Sequence, residues 1–519
     1  MTIKGTTSHS RTFVSDTNGQ TTGRGLLPAR GARPAPHGRG EDPGVTPNLA
    51  VSAGLAALAF CIYVRCADFG FSFLDDKDLI INNQAFLLKP TSALDAFRRL
   101  YLNYYYRPLV TVSYVLDAQW SGGTPFGYHF TNVCLHTLCT ALIFLIAKEL
   151  CFSNRPAGLG AALFAVHPAL VSTVAWIPGR NDSLFTIFAL GSWLLLILDT
   201  KHPAIQLRLG HFLSLVAALF TKETAIVLPL FFVCYFWSIG IVARQRAYWL
   251  YWLLAIFAFI LARSVATVSH PGEGAYHIHS LLHQLPVLIE STGKLCVPFR
   301  LSPIATAQDT PIWPGIAAFA AGALLVRVLR PRQPKRLVLG IVLVILPLVP
   351  SLFVAERLTL ENRLYLPAVG YCIVAAELFD ASGTNGVAAS LASLLFVAYA
   401  IGTWNYAGVY RDRRSFVTAA RASSPKSALT HLGMGDFYQE VDNDLDKAEL
   451  EYRAAIAFDP KEPVVHNDLA VLLMARRKWH DAEVQLREEI IYNHDFGVAY
   501  YNLGIVLRMM ERPDEAAVQ

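Results

Sequence analysis

The sequence predicts an all-α protein in two parts, a polytopic membrane helical domain of about eleven spans followed by a short α-solenoid of paired helices. Three observations predict it. Of 519 residues, 54% are hydrophobic and only 16% charged, well below the roughly 25% charged of soluble domains. The apolar residues come in blocks long enough to cross a bilayer, which takes about 20 residues per helix. The tail repeats itself: "DLAVLL" (468–473) and "NLGIVL" (502–507) are offset by 34 residues, as are Ala448, Ala482 and Ala516. Thirty-four is the period of the tetratricopeptide repeat, whose small residues let its two helices approach closely.

Residues 1–46 are rich in Gly, Thr, Arg and Pro, with six basic residues and few large apolar ones. Such a segment cannot bury a core, so it is expected to be a disordered arm. It is too long and polar for a simple signal peptide, and the first apolar run is expected to stay as an uncleaved anchor. The membrane domain then occupies 47–410. Its spanning candidates are 47–66, 126–147, 158–177, 182–199, 209–221, 223–242, 247–268, 312–329, 337–355, 364–380 and 387–405. The run 281–299 is broken by Pro286, Glu290 and Lys294 and reads as a re-entrant or interfacial piece. Residues 411–427 read as a linker and 428–519 as tetratricopeptide repeats, the third incomplete.

Basic residues set the orientation. The N-terminal arm, Lys148/Arg155, Lys201/Arg208, Arg244/Arg246 and "RVLRPRQPKR" (327–336) all fall on one side, the cytoplasmic one, if eleven helices cross. The loops "FLDD", "IPGRND", "TKET" and "LENRLYLP" then share the exoplasmic side with the repeats. "YRDRR" (410–414) disagrees with this arrangement. From Ala428 to Gln519, 9 Lys/Arg face 18 Asp/Glu, which leaves the tail at −9 and, with the whole chain at +5, the rest at +14. An acidic tail argues against a nucleic-acid partner. The 8 cysteines form no CxxC pair and sit mostly inside apolar runs. Neither a structural metal nor a disulfide framework is expected.

The chemistry concentrates where the chain leaves the first span. "FGFSFLDDKDLIINN" (69–83) carries Asp75, Asp76 and Asp78 beside the hydrocarbon, where acidic side chains are costly and usually have a partner or a task. The other loops of that side carry Arg107 in "YYYRPL", Arg180 and Asn181 in "IPGRND", Lys222 and Glu223 in "FTKETA", and Arg363 in "ENRLYLP". Any one of these alone is a snorkelling side chain at a helix end. Four such clusters on one face, opposite a carboxylate pair, are harder to explain as independent anchors.

Elsewhere the bland readings prevail. His129, Asn132 and His136 share a helix face and suit interhelical hydrogen bonding. His167-Pro168 reads as a kink with a satisfied histidine. His270, His277, His279 and His283 suit a metal only loosely.

For the carboxylates four readings stand side by side. They are solvated loop residues, or Asp76-Lys77-Asp78 is a DxD triplet holding a divalent ion against a diphosphate, or they are a glycosidase pair. In the fourth, a single general base sits beside a cationic clamp. That last arrangement suits sugar transfer from a lipid phosphate. The phosphate leaving group needs no acid, and the acceptor hydroxyl needs a base.

The order span, "FLDDKDLIINN", "YRPL", "YHFTNVCLH", "HPALVSTVAWIPGRNDSL", "FTKETAIVLP", "ENRLYLP", then repeats, resembles the transmembrane-and-tetratricopeptide-repeat protein O-mannosyltransferases and their bacterial relatives. The likeness covers nearly all of 47–519. It implies the GT-C glycosyltransferase fold and a polyprenyl-phosphate sugar donor, dolichyl-phosphate mannose in eukaryotes. It also implies transfer to Ser or Thr of translocated proteins, with no cofactor and no metal. Asp75 and Asp76 match the family's acidic pair, as catalytic residues. Arg107, Arg180, Lys222, Glu223 and Arg363 match its polar loop positions, as donor-phosphate and substrate contacts. The implied partners are the lipid-linked donor, membrane lipid and an acceptor protein held by the repeats. The implied location is the endoplasmic reticulum membrane in a eukaryote, or the inner membrane in a bacterium. A lipid-linked polysaccharide ligase or polymerase, and a non-catalytic membrane-anchored repeat scaffold, are the alternatives.

Overall fold

The computed structural model describes residues 45–519 apart from 73, 103–104, 268–280, 299, 307, 354–360, 384 and 519. The arm, and the histidines at 270, 277 and 279 with the side chain of His283, lie outside the described residues. Residues 47–519 form one compact unit. Helices dominate it, and an isolated β-bridge pairs Tyr101 with Tyr105.

The helix starts follow local chemistry. Pro108 and Pro125 each open a helix, Pro108–Ser121 and Pro125–Glu149, where the missing N–H would have had no partner in any case. Gly122, at φ 66, ends the first of these in a left-handed turn that lets the second fold back. Pro168 breaks another run: Asn154–Ala165 and Pro168–Ala175 meet at 51°. At that bend His167 accepts from Ala169 N (3.2 Å), while its Nε2 meets Leu295 O (2.8 Å).

Each of the eleven spanning candidates coincides with helix. Among the described residues, seven helices are long and apolar enough to cross a membrane, and eight if the bent pair counts as one span. The other three, Ile205–Thr221, Glu223–Ser238 and Trp313–Leu329, are shorter. At 17 residues, Ile205–Thr221 reaches about 25 Å at 1.5 Å per residue, short of a hydrocarbon core of about 30 Å. The polar Lys222-Glu223 pair, which sequence alone treats as a tight loop, cuts both neighbours short.

Packing is close where side chains vanish. Helices Pro334–Ile345 and Tyr365–Ala381 cross at Gly340 and Gly370. A methyl group on Gly340 would lie 2.9 Å from Gly370 O, and one on Gly370 would collide with Gly340 O. Small residues at such crossings are how helices associate in lipid, where burial of apolar surface supplies no net drive.

The two ends of the bundle differ in charge pattern. At one end the basic loops meet each other: Lys201 pairs with Glu149 (2.6 Å), Arg208 with Asp199 (3.0 Å), and Arg336 reaches Cys151 O (3.2 Å). The "FLDD", "YRPL", "IPGRND", "TKET" and "ENRL" segments gather at the other.

The stretch read as a linker is itself a helix, Arg413–Ser423, started by Asp412 accepting from Ser415 N (2.8 Å). It buries Phe416, Val417 and Ala420 in the main core. Helix pairs follow: Ala428–Glu440 with Leu445–Phe458, Val465–Ala475 with Trp479–Tyr492, and Gly497–Met509 with Pro513–Ala516. Ala448, Ala470 and Ala482 are fully buried between them. A methyl on Gly435 would stand 2.5 Å from the Tyr452 ring, so the repeat's small positions are required by contact. Met434 and Phe437 of the first pair belong to the main core, while Leu432, Ala448, Tyr452 and Ala455 of the same pair join the later pairs in a second core.

Candidate functional site

The first helix, Val45–Tyr63, runs on through a tight turn to Asp68, and the chain then crosses the end of the bundle. Gly70 N donates to Arg411 O (2.9 Å), and Gly70 O meets His129 Nε2 (3.1 Å), pinning the loop to two neighbours. Leu74 has φ 60, a conformation that costs a branched side chain energy and that gathers at functional sites. The adjacent carboxylates point to different places.

Asp76 turns inward. Its Oδ2 accepts from Ser72 N (2.7 Å) and Ser72 Oγ (2.9 Å), and the residue is 1% exposed. Burial pushes its carboxyl up to about 7, helped by the nearby Asp75 charge and opposed by the two Ser72 bonds. Asp78 sits in the next helical turn, bonded to Asn82 (3.2 Å). The DxD triplet therefore does not face one ion. Among the described residues no three His, Cys, Asp or Glu side chains are grouped to hold a metal.

Asp75 lines a cavity of about 630 Å³. The same cavity is lined by Arg107, by Lys222 and Glu223, and by Arg363, from three of the polar loops, with Asn181 and Asp182 from the fourth. Arg107 Nε meets Glu223 Oε2 at 3.1 Å, while Tyr106 N holds the other carboxylate oxygen (3.0 Å). The Arg107 guanidinium also stacks 4.0 Å over the Tyr105 ring. Lys222 Nζ meets Asp182 Oδ1 at 2.5 Å, and Asn362 donates to Asp182 Oδ2 (2.9 Å). Burial lowers the Lys222 pKa, with the Asp182 charge holding against it. Leu102, at φ 49, is a second strained residue in the wall. Leu429 of the first repeat helix completes one side.

Arg180 is placed elsewhere. It is 0% exposed, behind the wall, and its donors are spent internally: Asp117 by an ion pair, Asn132 Oδ1 at 2.8 Å, Tyr128 O at 2.6 Å and Ser113 Oγ at 3.3 Å. Asn132 in turn donates to Trp176 O (3.1 Å) and Ile177 O (3.3 Å). This network fixes the turn that delivers Asn181 and Asp182 to the cavity. His136, on the same face, bonds Tyr365 Oη (2.7 Å) and Ala165 O (3.2 Å).

Seven sequence-predicted site residues thus divide. Asp75, Arg107, Lys222, Glu223 and Arg363 line one cavity, while Asp76 and Arg180 are buried beside it. Sequence reasoning missed Asp182 and Asn362, each the neighbour of a singled-out residue within a quoted motif. It also missed Arg263, a lone charge inside the apolar run 247–268, and Asp117 in "YVLDAQW". The signal was present for both, since a single ionisable residue in an apolar helix asks for a partner.

A carboxylate, paired cations and apolar walls in one partly enclosed space can bind an anion with an apolar tail and remove a proton beside it. No protein-family model matches the chain. It is 25% identical over 468 residues to Protein O-mannosyl-transferase F38B6.6 of Caenorhabditis elegans, covering 82% of this chain and 64% of that protein. It is 22% identical over 534 residues to Protein O-mannosyl-transferase TMTC3 of Mus musculus, covering 79% and 56%. Over a shorter stretch of 190 residues it is 33% identical to Protein O-mannosyl-transferase Tmtc1 of Drosophila melanogaster, covering 34% and 22%. The chain spans less than two thirds of the length of these curated relatives. The family that the loop motifs resemble is the one in which its relatives are named, and the similarity to those protein O-mannosyl-transferases extends over about four fifths of the chain.

Proposed function

We propose that the chain is a membrane glycosyltransferase that moves a sugar, mannose by the names of its relatives, from a polyprenyl-phosphate donor to Ser or Thr hydroxyls of exoplasmic proteins. The observation that carries this reading is convergence: polar loops far apart in the chain meet in one cavity around Asp75. Asp75 takes the hydroxyl proton as general base. The acceptor oxygen attacks the anomeric carbon, the bond to phosphate breaks, and its electron pair leaves with the polyprenyl phosphate. Arg107, Lys222 and Arg363 steady that growing charge. Asp76, with a carboxyl near neutrality, has a pKa suited to a base. Position decides for Asp75, because a base must reach the proton first. Asp76 holds the loop through Ser72, and Arg180 holds the turn before Asp182.

Lys77 Nζ pairs with Glu440 Oε1 (2.9 Å) across the loop and the first repeat. That contact, with Leu429 in the cavity wall, supports repeats on the same, exoplasmic side as Asp75, where they hold the acceptor chain. The test is direct: purified full chain, dolichyl-phosphate mannose and a Ser/Thr peptide, with mass spectrometry of the peptide. Mannosylated hydroxyls are expected. Transfer to a lipid-linked glycan but not to peptide would replace this reading with the ligase, and transfer to neither would remove it.

A further inference from the structure

We infer that Arg263, which no motif singled out, is a further cation that grips the donor's phosphodiester, beside those proposed above; the inference rests on that proposed function and adds a ligand for its donor. Arg263 lies four residues before the end of helix Trp249–Thr267 and lines the cavity with Asp75. One turn earlier on the same face, Phe259 is buried against Tyr106 and Phe220, with ring centroids 6.1 and 6.2 Å apart. That packing holds the helix face, and so the Arg263 stem, toward the cavity.

The charge pattern of the wall makes Arg263 distinct. Among the described residues its cations are Arg107, Lys222, Arg263 and Arg363, and its carboxylates are Asp75, Asp182 and Glu223. Arg107 is committed to Glu223 and Lys222 to Asp182. The Arg263 guanidinium has no hydrogen-bond or ion-pair partner among the described residues; only its backbone carbonyl is used, by Thr267 Oγ1 (3.1 Å). Without its charge the described residues of the wall sum to neutral, and a neutral wall gives a phosphodiester monoanion no net attraction. With Arg263 they carry one excess positive charge, matched to one phosphodiester.

A guanidinium in an apolar helix is costly without such a ligand, and its planar fork bonds two phosphate oxygens at once. The leaving polyprenyl phosphate gains a second negative charge as the glycosyl bond breaks, so the same contact strengthens along the reaction. The competing source of the same chemistry is the bilayer's own phosphodiester headgroups, reached by snorkelling.

The experiment uses the purified full chain and two readouts, binding of radiolabelled dolichyl phosphate lacking sugar, and mannose transfer with donor and acceptor varied separately. Arg263→Gln is expected to weaken dolichyl-phosphate binding and raise the donor KM by at least about tenfold, the loss of one charge-assisted contact. The acceptor KM should stay within about twofold, and Arg263→Lys should fall between. Arg327→Gln, an exposed arginine on another helix, should change nothing. If wild type binds and transfers while Arg263→Gln matches it in both readouts, this inference fails and the function stands. If wild type transfers no mannose, both fail; if it transfers mannose but binds no dolichyl phosphate, only this inference fails. Each readout is repeated in phosphate-free detergent and in phosphatidylcholine vesicles. An effect seen in vesicles only would assign Arg263 to bilayer headgroups and overturn the proposal.

Discussion

Two arginines one loop apart show the two uses this molecule makes of buried charge. Arg107 lines the cavity with one carboxylate partner, Glu223, and two tyrosine rings, Tyr105 and Tyr101, against its guanidinium. Arg180 has no surface left, its donors distributed among Asp117, Asn132, Tyr128 and Ser113. Both sit in polar loops at helix ends, both match family motifs, and composition cannot separate them. What separates them is the number of acceptors that other helices bring to each. A guanidinium fully satisfied inside the protein holds the fold, and one with capacity left over can hold a ligand. The adjacent carboxylates repeat the lesson at closer range, because Ser72 holds one oxygen of the buried Asp76 while Asp75 lines the cavity.

The comparison breaks first at the carboxylates. Asp75→Asn is expected to reduce mannose transfer at least about 10²-fold, the low end for a general base. Asp76→Asn keeps an oxygen that accepts from Ser72, so transfer within a fewfold of wild type is expected. Initial rates at saturating donor decide it. Equal large losses would return the base to the pair as a unit.

The arginines come next, with different observables. Arg180→Ala strands Asp117 without its cation in the interior, where breaking a buried pair costs about 3–5 kcal/mol. The purified protein should unfold at a markedly lower temperature. Arg363→Lys should leave the unfolding temperature alone and raise the donor KM, since lysine cannot bond two phosphate oxygens. An Arg180→Ala protein that melts normally but needs more donor would move Arg180 into the site.

Acidity sharpens the contrast on a smaller scale. Asp76 has its folded pKa raised to about 7 by burial, against an unfolded value of about 4. The folded state therefore holds a proton that the unfolded state has released across that window. Stability contributed by the loop is greatest below about pH 4, falls as pH rises toward 7, and is flat above it. Asp76→Asn should remove that slope and gain relative stability at pH 8. Thermal unfolding measured from pH 4 to 8 checks the sign, and a wild-type slope rising over the same window would contradict the burial of a raised carboxyl.

How far the sequence could be read follows the same division. Apolar periodicity and the 34-residue offset are local properties, so the helix blocks, the paired helices of the tail and the buried small positions Ala448 and Ala482 were legible. The polar loops were legible as a set because each carries ionisable residues beside hydrocarbon. Their pairings were not. Lys222 with Asp182 and Arg107 with Glu223 join residues 40 and 116 positions apart, and no local pattern encodes that distance. The helix Arg413–Ser423 was hidden for another reason. Its mixed Arg, Ser and Ala composition resembles a linker, and only Phe416 and Val417 docking into the main core give it a place.

The smallest expected effect concerns the bridge between the two halves. Lys77 and Glu440 pair at 2.9 Å, but their side chains are 47% and 41% exposed. An exposed pair contributes at most about 1 kcal/mol. Glu440 also holds Arg413 (2.7 Å), and the first repeat is anchored independently by Met434 and Phe437 in the main core. Glu440→Gln should therefore shift the unfolding temperature little, and less still at high salt, where screening has already removed most of the attraction. Lys77 begins the helical turn directly after Asp75 and Asp76, so its tether limits how far that turn can swing. A reduction of about twofold in transfer at low salt, vanishing at 0.5 M salt, is expected for Glu440→Gln. A large loss independent of salt would mean that the first repeat shapes the cavity through this contact as well as through Leu429.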